Sequence, residues 1–360
     1  MKILHLADVA GIGGLQNWVC SLAEAQSRMG HDVRLMLPPW VASGARAFTA
    51  LPVCSWDLSQ AWNFDIVHSH GCAGLQNSGI MKRPSRPLIV QSYYGTILGI
   101  QIALRWFQNL VGWNGFDVPR NILWEAASGR YADAVIANSP KVRSEIVKFY
   151  RVRPAKISIV PAGFRRMGHV DDNKKKSLRR TLGLPEEGFL FLFVGRADPV
   201  KNLPAALAAF RRIRSRFSNV FLVIAPKQET SGEDQVLEVE LAPDQMWQLY
   251  CAADALIHPG YYEAYSVAIH EALAYGLPAI IGRDTGNADY CTDGLQALVL
   301  PRKRGTPLVV ALSEKMCSIV ESSALRSKLG SEAARKFGPM DWAWVASEIE
   351  NVYRKVQRPQ

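Results

Sequence analysis

The chain has 360 residues, 48% of them hydrophobic and 21% charged, without short-period repeats or low-complexity tracts, so two globular cores are expected and solenoids are excluded. Its formal charge is +10, of which +7 falls in residues 1–164. No stretch approaches the roughly 20 apolar residues of a membrane-spanning helix, and six scattered cysteines without a CxxC or His-Cys cluster indicate neither a zinc site nor a disulfide framework, which fits a reducing cytoplasm.

Met1–Ala10 pairs a lysine with an apolar run, but His5 and Asp8 interrupt it and glycines follow, so Lys2–Asp8 reads as a strand rather than a signal peptide. A turn over Gly11–Gly14, a helix over Leu15–Met29 stopped by Gly30, and a strand over Asp32–Leu37 complete a βαβ opening. Further strands are expected at Ile66–Ser69, Leu88–Ser92, Ala134–Ala137 and Ile157–Val160, with helical patterns between most of them. After the turn Val160–Gly163 and a charged helical segment Lys174–Leu182, a second series begins: strand Phe189–Gly195, helix Pro204–Phe217, strand Val220–Ile224. Two such halves imply two parallel sheets with helices on both faces, joined near Gly163–Gly168. Trp342–Tyr353 closes the chain with helical spacing.

Gly11 and Gly13 start a possible dinucleotide fingerprint, but position 16 is Gln and Asp32 stands at the start of its strand, which disfavours a nicotinamide enzyme. What remains is Gly13-Gly14 at a helix N-terminus, where the backbone can approach a phosphate or sugar. Arg196 and Lys201 follow the strand ending at Val194 and are suited to neutralising a leaving diphosphate. His68 and His70 alternate on one strand and share a face, so that one can support the other. Glu263 and Glu271, eight residues apart, flank a helix start: Ser266 is the expected N-cap, Val267, Ile269, His270 and Leu273 are periodic, and Gly276 and Pro278 stop the helix. The free N–H groups near Ser266 and Val267 suit an anion, with an acid on either side.

These residues resemble the motifs of family 4 glycosyltransferases. The resemblance rests on Gly13-Gly14 and Val19, Asp65 to His70, Glu125, Asn138-Ser139, Gly195-Arg196 with Lys201, and the E-x7-E pair Glu263 and Glu271 followed by Ala272, Gly276 and Pro278. It implies a GT-B fold, with two Rossmann-like α/β domains facing across a cleft: an acceptor-binding domain over 1–164, a nucleotide-sugar domain over 165–340, and a helix over 341–360 returning to the first. It implies transfer, with retention, of a sugar from a UDP- or GDP-sugar to a hydroxyl of a glycan or lipid-linked acceptor in cell-surface glycan or glycolipid synthesis. Glu263 would contact the donor sugar and Glu271 the ribose, while Arg196, Lys201, Ser266 and Val267 hold the diphosphate and His70 lies near the reacting sugar. No D-x-D triplet occurs, so no metal is implied.

Four departures stand out: Ser266 where the family has Gly, Tyr94 where it often has His, Ala162 for Asn, and Pro226–Glu238 for a glycine-rich segment. Ser266, Tyr94 and Ala162 keep open a catalytically impaired nucleotide-sugar or glycan binding protein of the same fold. A retaining glycoside hydrolase needs carboxylates about 5 to 5.5 Å apart, against roughly 12 Å for eight residues along one helix; with Glu263 in a loop their separation stays open. Lys141, Arg143, Lys148, Arg151, Arg153 and Lys156 form a basic stretch suited to an anionic membrane or a phosphorylated acceptor, or simply to a solvated helix face and loop. Nucleic acid is disfavoured because no exposed aromatics are interleaved with them. Ile97, Ile100, Leu104, Phe107 and Val111 share a helical face expected to pack on the core or line the acceptor cleft, with membrane contact as the alternative.

Overall fold

The computed structural model describes residues 1–7, 14–38, 49–54, 56–71, 86–104, 118–165, 172–196, 198–228 and 232–357. Gly11, Gly13, Cys72, Phe107 and Val111 lie outside them. The chain divides into two compact units, Met1–Gly163 with Asp341–Gln360, and Phe164–Met340.

The first unit is built on a seven-stranded sheet of β1 (Lys2–Ala7), β2 (Asp32–Met36), β3 (Val53–Cys54), β4 (Ile66–His70), β5 (Leu88–Tyr93), β6 (Ala134–Ala137) and β7 (Ile157–Ile159). Their spatial order is β3-β2-β1-β4-β5-β6-β7, with every pairing parallel. β4 and β5 extend one residue beyond expectation because Ala7 pairs with His70 and Tyr93 with Ala137. The helix Trp342–Gln357 buries Trp342, Val345, Ala346, Ile349, Val352 and Tyr353, and packs on the helix Gly14–Arg28 and on β5 and β6.

The second unit carries β8 (Phe189–Val194), β9 (Val220–Ala225), β10 (Val236–Glu238), β11 (Ala255–His258), β12 (Ala279–Gly282) and β13 (Leu298–Leu300), in the order β10-β9-β8-β11-β12-β13. Alternation within β8 sends Leu190 and Leu192 into one core layer and Phe191 and Phe193 into the other, as expected for a parallel sheet covered on both faces. β11 and β12 are four-residue apolar runs that periodicity alone does not separate from buried helix.

In each sheet the chain reverses direction at one pair of neighbours, β1/β4 and β8/β11. Loops leaving the carboxyl ends of such a pair diverge, and ligands of open α/β sheets bind there.

Candidate active site

At the β8/β11 switch point, the loop after β8 supplies Gly195, Arg196 and Lys201. Arg196 is exposed, and Asp198 accepts from the Val200 N–H to start a single 3-10 turn over Pro199–Lys201. Asn202 then takes a left-handed conformation (φ 60°), and its Nδ2 donates to the Pro259 carbonyl at 3.2 Å, tying this loop to the one after β11. The Tyr261 N–H donates to the Val200 carbonyl at 2.8 Å across the same seam.

Glu263 lies in that second loop, not in a helix, as the sequence reading requires. Its backbone bridges to Thr285 and accepts from the Gly286 N–H at 2.9 Å, and its carboxylate forms an ion pair with Lys201. The two side chains are 13% and 21% exposed, so the pair is largely shielded yet reachable. Burial pulls the Lys201 pKa down to about 8, with Asp198 opposing the fall and Arg196 adding to it. Next to the pair is the fully buried His258, whose Nε2 is 3.9 Å from Glu263 Oε1 and whose ring nitrogens have no hydrogen-bond partner among the described residues. Burial and the Lys201 charge hold its pKa well below the usual histidine range. Gly260 is required here, since a Cβ would meet the Val200 carbonyl at 3.0 Å and His258 Nε2 at 3.2 Å.

The helix Val267–Ala274 starts three residues after Ala264. Ser266 caps it, with Oγ accepting from the Ile269 N–H at 3.4 Å. The residue that replaces the family's glycine thus turns its oxygen onto its own helix and keeps its hydroxyl hydrogen available. The first N–H groups, at Val267 and Ala268, have no partner within the helix and face any ligand with the positive end of its dipole. On the same helix Glu271 is half-buried and accepts a hydrogen bond from Tyr250; burial raises its pKa to about 7, with the Tyr250 bond opposing. His270 is structural: it is buried, with Nδ1 2.6 Å from the Tyr265 hydroxyl and Nε2 3.3 Å from the Met340 carbonyl.

In the first unit the β1/β4 switch point gathers His5, His68 and His70, whose donor atoms lie within 4.8 Å of one another. His70, the acceptor-side candidate, is 1% exposed and engaged at both nitrogens, Nε2 2.8 Å from His5 Nδ1 and Nδ1 2.5 Å from the Tyr94 hydroxyl. Its partner Tyr94 is half-buried. His68 stacks on His70 at 4.1 Å, consistent with their shared face. Gly14 opens the helix Gly14–Arg28 that follows β1. Glu125 anchors the helix Ile97–Leu104 by accepting from the Ile97 N–H at 2.9 Å; it also contacts the Tyr150 hydroxyl, and burial raises its pKa to about 7. Within the basic stretch Lys156 is a strap, donating to the carbonyls of Arg130 and Ala132, whereas Lys148, Arg151 and Arg153 are exposed.

The model of the family described as Glycosyltransferase Family 4 matches residues 12–165, and that of Glycosyl transferases group 1 matches residues 174–336. The chain belongs to glycosyltransferase family 4. Its relatives in that family include the D-inositol 3-phosphate glycosyltransferase of Acidothermus cellulolyticus, 26% identical over 71% of this chain and 60% of that protein. The lipopolysaccharide 1,2-N-acetylglucosaminetransferase of Salmonella typhimurium is 27% identical over 58% of this chain and 60% of that protein. The chain therefore spans less than two thirds of the length of either relative. In fold it is similar to Anabaena Alr3699/HepE, solved in complex with UDP and glucose, with a TM-score of 0.78 at 16% identity over 98% of this chain and 99% of that one. The architecture is thus the two-domain α/β GT-B fold expected of the family.

Four residues of this family 4 chain escaped the sequence reading: His258, Tyr250, Asn287 and Tyr94 as a hydrogen-bonding group. Asn287 holds the backbone of Ser266 from a loop 21 residues away. The only signals in the sequence were a histidine beside Pro259 and a tyrosine before Gly95, and neither carries a spacing that points to a partner.

Proposed function

We propose that the chain is a retaining glycosyltransferase that moves a sugar from a UDP- or GDP-sugar to an acceptor hydroxyl in cell-surface glycan or glycolipid synthesis. The second unit holds the donor. Arg196, Lys201 and the N–H groups at Val267 and Ala268, with the Ser266 hydroxyl, take the diphosphate; Glu271 takes the ribose hydroxyls and Glu263 those of the transferred sugar. The first unit takes the glycan or lipid-linked acceptor.

The observation that carries this reading is the Lys201–Glu263 ion pair beside a capped, dipole-positive helix start at the β8/β11 switch point. Bond cleavage at the anomeric carbon leaves charge on the diphosphate, and fixed cations and N–H groups there stabilise the transition state more than the ground state. Lys201 can turn from Glu263 to the diphosphate as the donor enters, freeing the carboxylate for sugar hydroxyls. Same-face attack, with the departing phosphate accepting the proton, accounts for retention without a protein nucleophile. The exposed cations Lys148, Arg151 and Arg153 offer a peripheral contact to anionic lipid on the cytoplasmic face.

A panel of UDP- and GDP-sugars tests this by slow donor hydrolysis and thermal stabilisation. At least one donor is expected to do both. Stabilisation without turnover by every donor, with acceptors supplied, would leave the binding-protein reading in its place; neither effect would overturn both.

A further inference from the structure

The three clustered histidines of the first unit belong to a closed circuit of seven side chains. Tyr94 Oη lies 2.5 Å from His70 Nδ1; His70 Nε2 lies 2.8 Å from His5 Nδ1; His5 Nε2 lies 2.7 Å from Gln26 Oε1. Gln26 Nε2 donates to the Tyr353 hydroxyl at 3.2 Å, which lies 2.6 Å from His68 Nδ1; His68 Nε2 lies 2.7 Å from Ser92 Oγ. Ser92 hydrogen-bonds back to Tyr94. All six imidazole nitrogens are engaged. Six of the seven groups are buried, and Tyr94 alone is half-exposed, so among the described residues the circuit meets the surface only there.

A neutral imidazole has one N–H and one acceptor nitrogen, a hydroxyl has one hydrogen, and an amide carries a donor and an acceptor. In a closed ring each member then donates once and accepts once, and fixing one member fixes all. With Gln26 Oε1 facing His5, every histidine carries its hydrogen on Nε2, and Tyr94 donates to His70 while accepting from Ser92. Turning the Gln26 amide over reverses every bond and moves every hydrogen to Nδ1. In both directions the Tyr94 hydrogen is used inside the ring.

We propose that Tyr94 is the acceptor-recognising group of the first unit, and that the circuit makes its oxygen a hydrogen-bond acceptor only, selecting an incoming O–H such as a sugar hydroxyl over a phosphate or carboxylate. His70 is thereby a positioning residue that acts through Tyr94. Burial keeps His5, His68 and His70 neutral, each pKa lying below the usual histidine range, as the circuit requires. Trp18, 2% exposed, packs edge-on against Tyr94 at 4.0 Å and limits its rotation. The role of Tyr94 rests on the transferase reading; the circuit does not.

Two measurements decide it. Nitrogen-15 spectra of the histidine side chains at pH 7 are expected to show one shared tautomer for His5, His68 and His70; mixed tautomers break the ring, and stoichiometric zinc binding that shifts all three would make them ligands instead. Tyr94→Phe is expected to lower kcat/KM for transfer to a panel of methyl glycosides by about 10- to 100-fold, with donor affinity and donor hydrolysis unchanged and a lowered melting temperature, since buried His70 Nδ1 loses its partner. Transfer at the wild-type rate would overturn the role of Tyr94 alone. Absence of turnover by the wild type with every donor would overturn the transferase reading and that role together, while shared tautomers would still establish the circuit.

Discussion

Asn287 clasps the backbone of Ser266 from both sides, its Oδ1 accepting from the Ser266 N–H at 2.7 Å and its Nδ2 donating to the Ser266 carbonyl at 3.0 Å, with both residues buried. One amide thus sets the position of a helix start on which the proposed diphosphate site depends. Asn287→Ala strands two buried backbone groups and is expected to cost roughly 2–4 kcal/mol. Denaturant unfolding measures this; a loss under about 0.5 kcal/mol would mean that the clasp is dispensable.

Glu271→Ala is expected to weaken nucleotide-sugar binding by about 10- to 100-fold, because the ribose loses its acceptor. Glu263→Ala is expected instead to slow transfer by about 100-fold, and Lys201→Ala both to weaken binding and to slow transfer, since its ammonium neutralises the bound diphosphate and the charge that develops on it. Calorimetry and initial rates separate the two effects, and unchanged affinity and turnover in all three variants would dismiss the site.

Ser266→Gly probes the departure from the family. Glycine is nearly as good an N-cap, so stability is expected to change by only a few tenths of a kcal/mol. Donor affinity is expected to fall by about 3- to 10-fold because the hydroxyl no longer reaches the phosphate. An unaltered Kd would remove Ser266 from the diphosphate contacts.

Donor affinity is expected to follow a bell-shaped pH profile. Glu271 titrates at about 7 and accepts from ribose only as a carboxylate, while Lys201 titrates at about 8 and neutralises phosphate only as an ammonium. Affinity should therefore rise through pH 7 and fall beyond about pH 8. Glu271→Gln should abolish the acid limb and Lys201→Arg the alkaline one, as read by Kd across pH 6–9.

Acid should destabilise the fold before ordinary carboxylates titrate. His5 and His270 are lowered to about 4, and His68, His70 and His258 lie well below their usual value. The unfolded chain binds these protons below about pH 6.5 and the folded protein does not, so stability is present above that pH and lost on descent. Glu125 and Glu271, both raised to about 7, work the other way between about 4.5 and 7. With more histidines held below their usual value than carboxyls held above theirs, stability should fall as the pH drops through about 5.5. A melting temperature flat from pH 7 to pH 5 would contradict it.

Six of the seven strands of the first unit and the helix start at Ser266 were legible in the residues themselves, because caps, stop signals and periodicity act over a few neighbours. β11 and β12 were not, since short runs buried on both faces carry no alternation. Nor was the state of His70: alternation put it on one face with His68, but burial and engagement at both nitrogens depend on His5, Tyr94 and Gln26, brought in by parallel pairing and by the helix Gly14–Arg28. The clasp of Asn287 on Ser266 and the ion pair of Lys201 with Glu263 likewise join loops that only the crossovers of the second sheet bring together. The sequence alone determined which residue types stand at each strand end and helix start. The tertiary structure decided which of them touch, and therefore which stay charged, which stay neutral and which face a ligand, because desolvation and hydrogen bonding depend on neighbours distant in the chain.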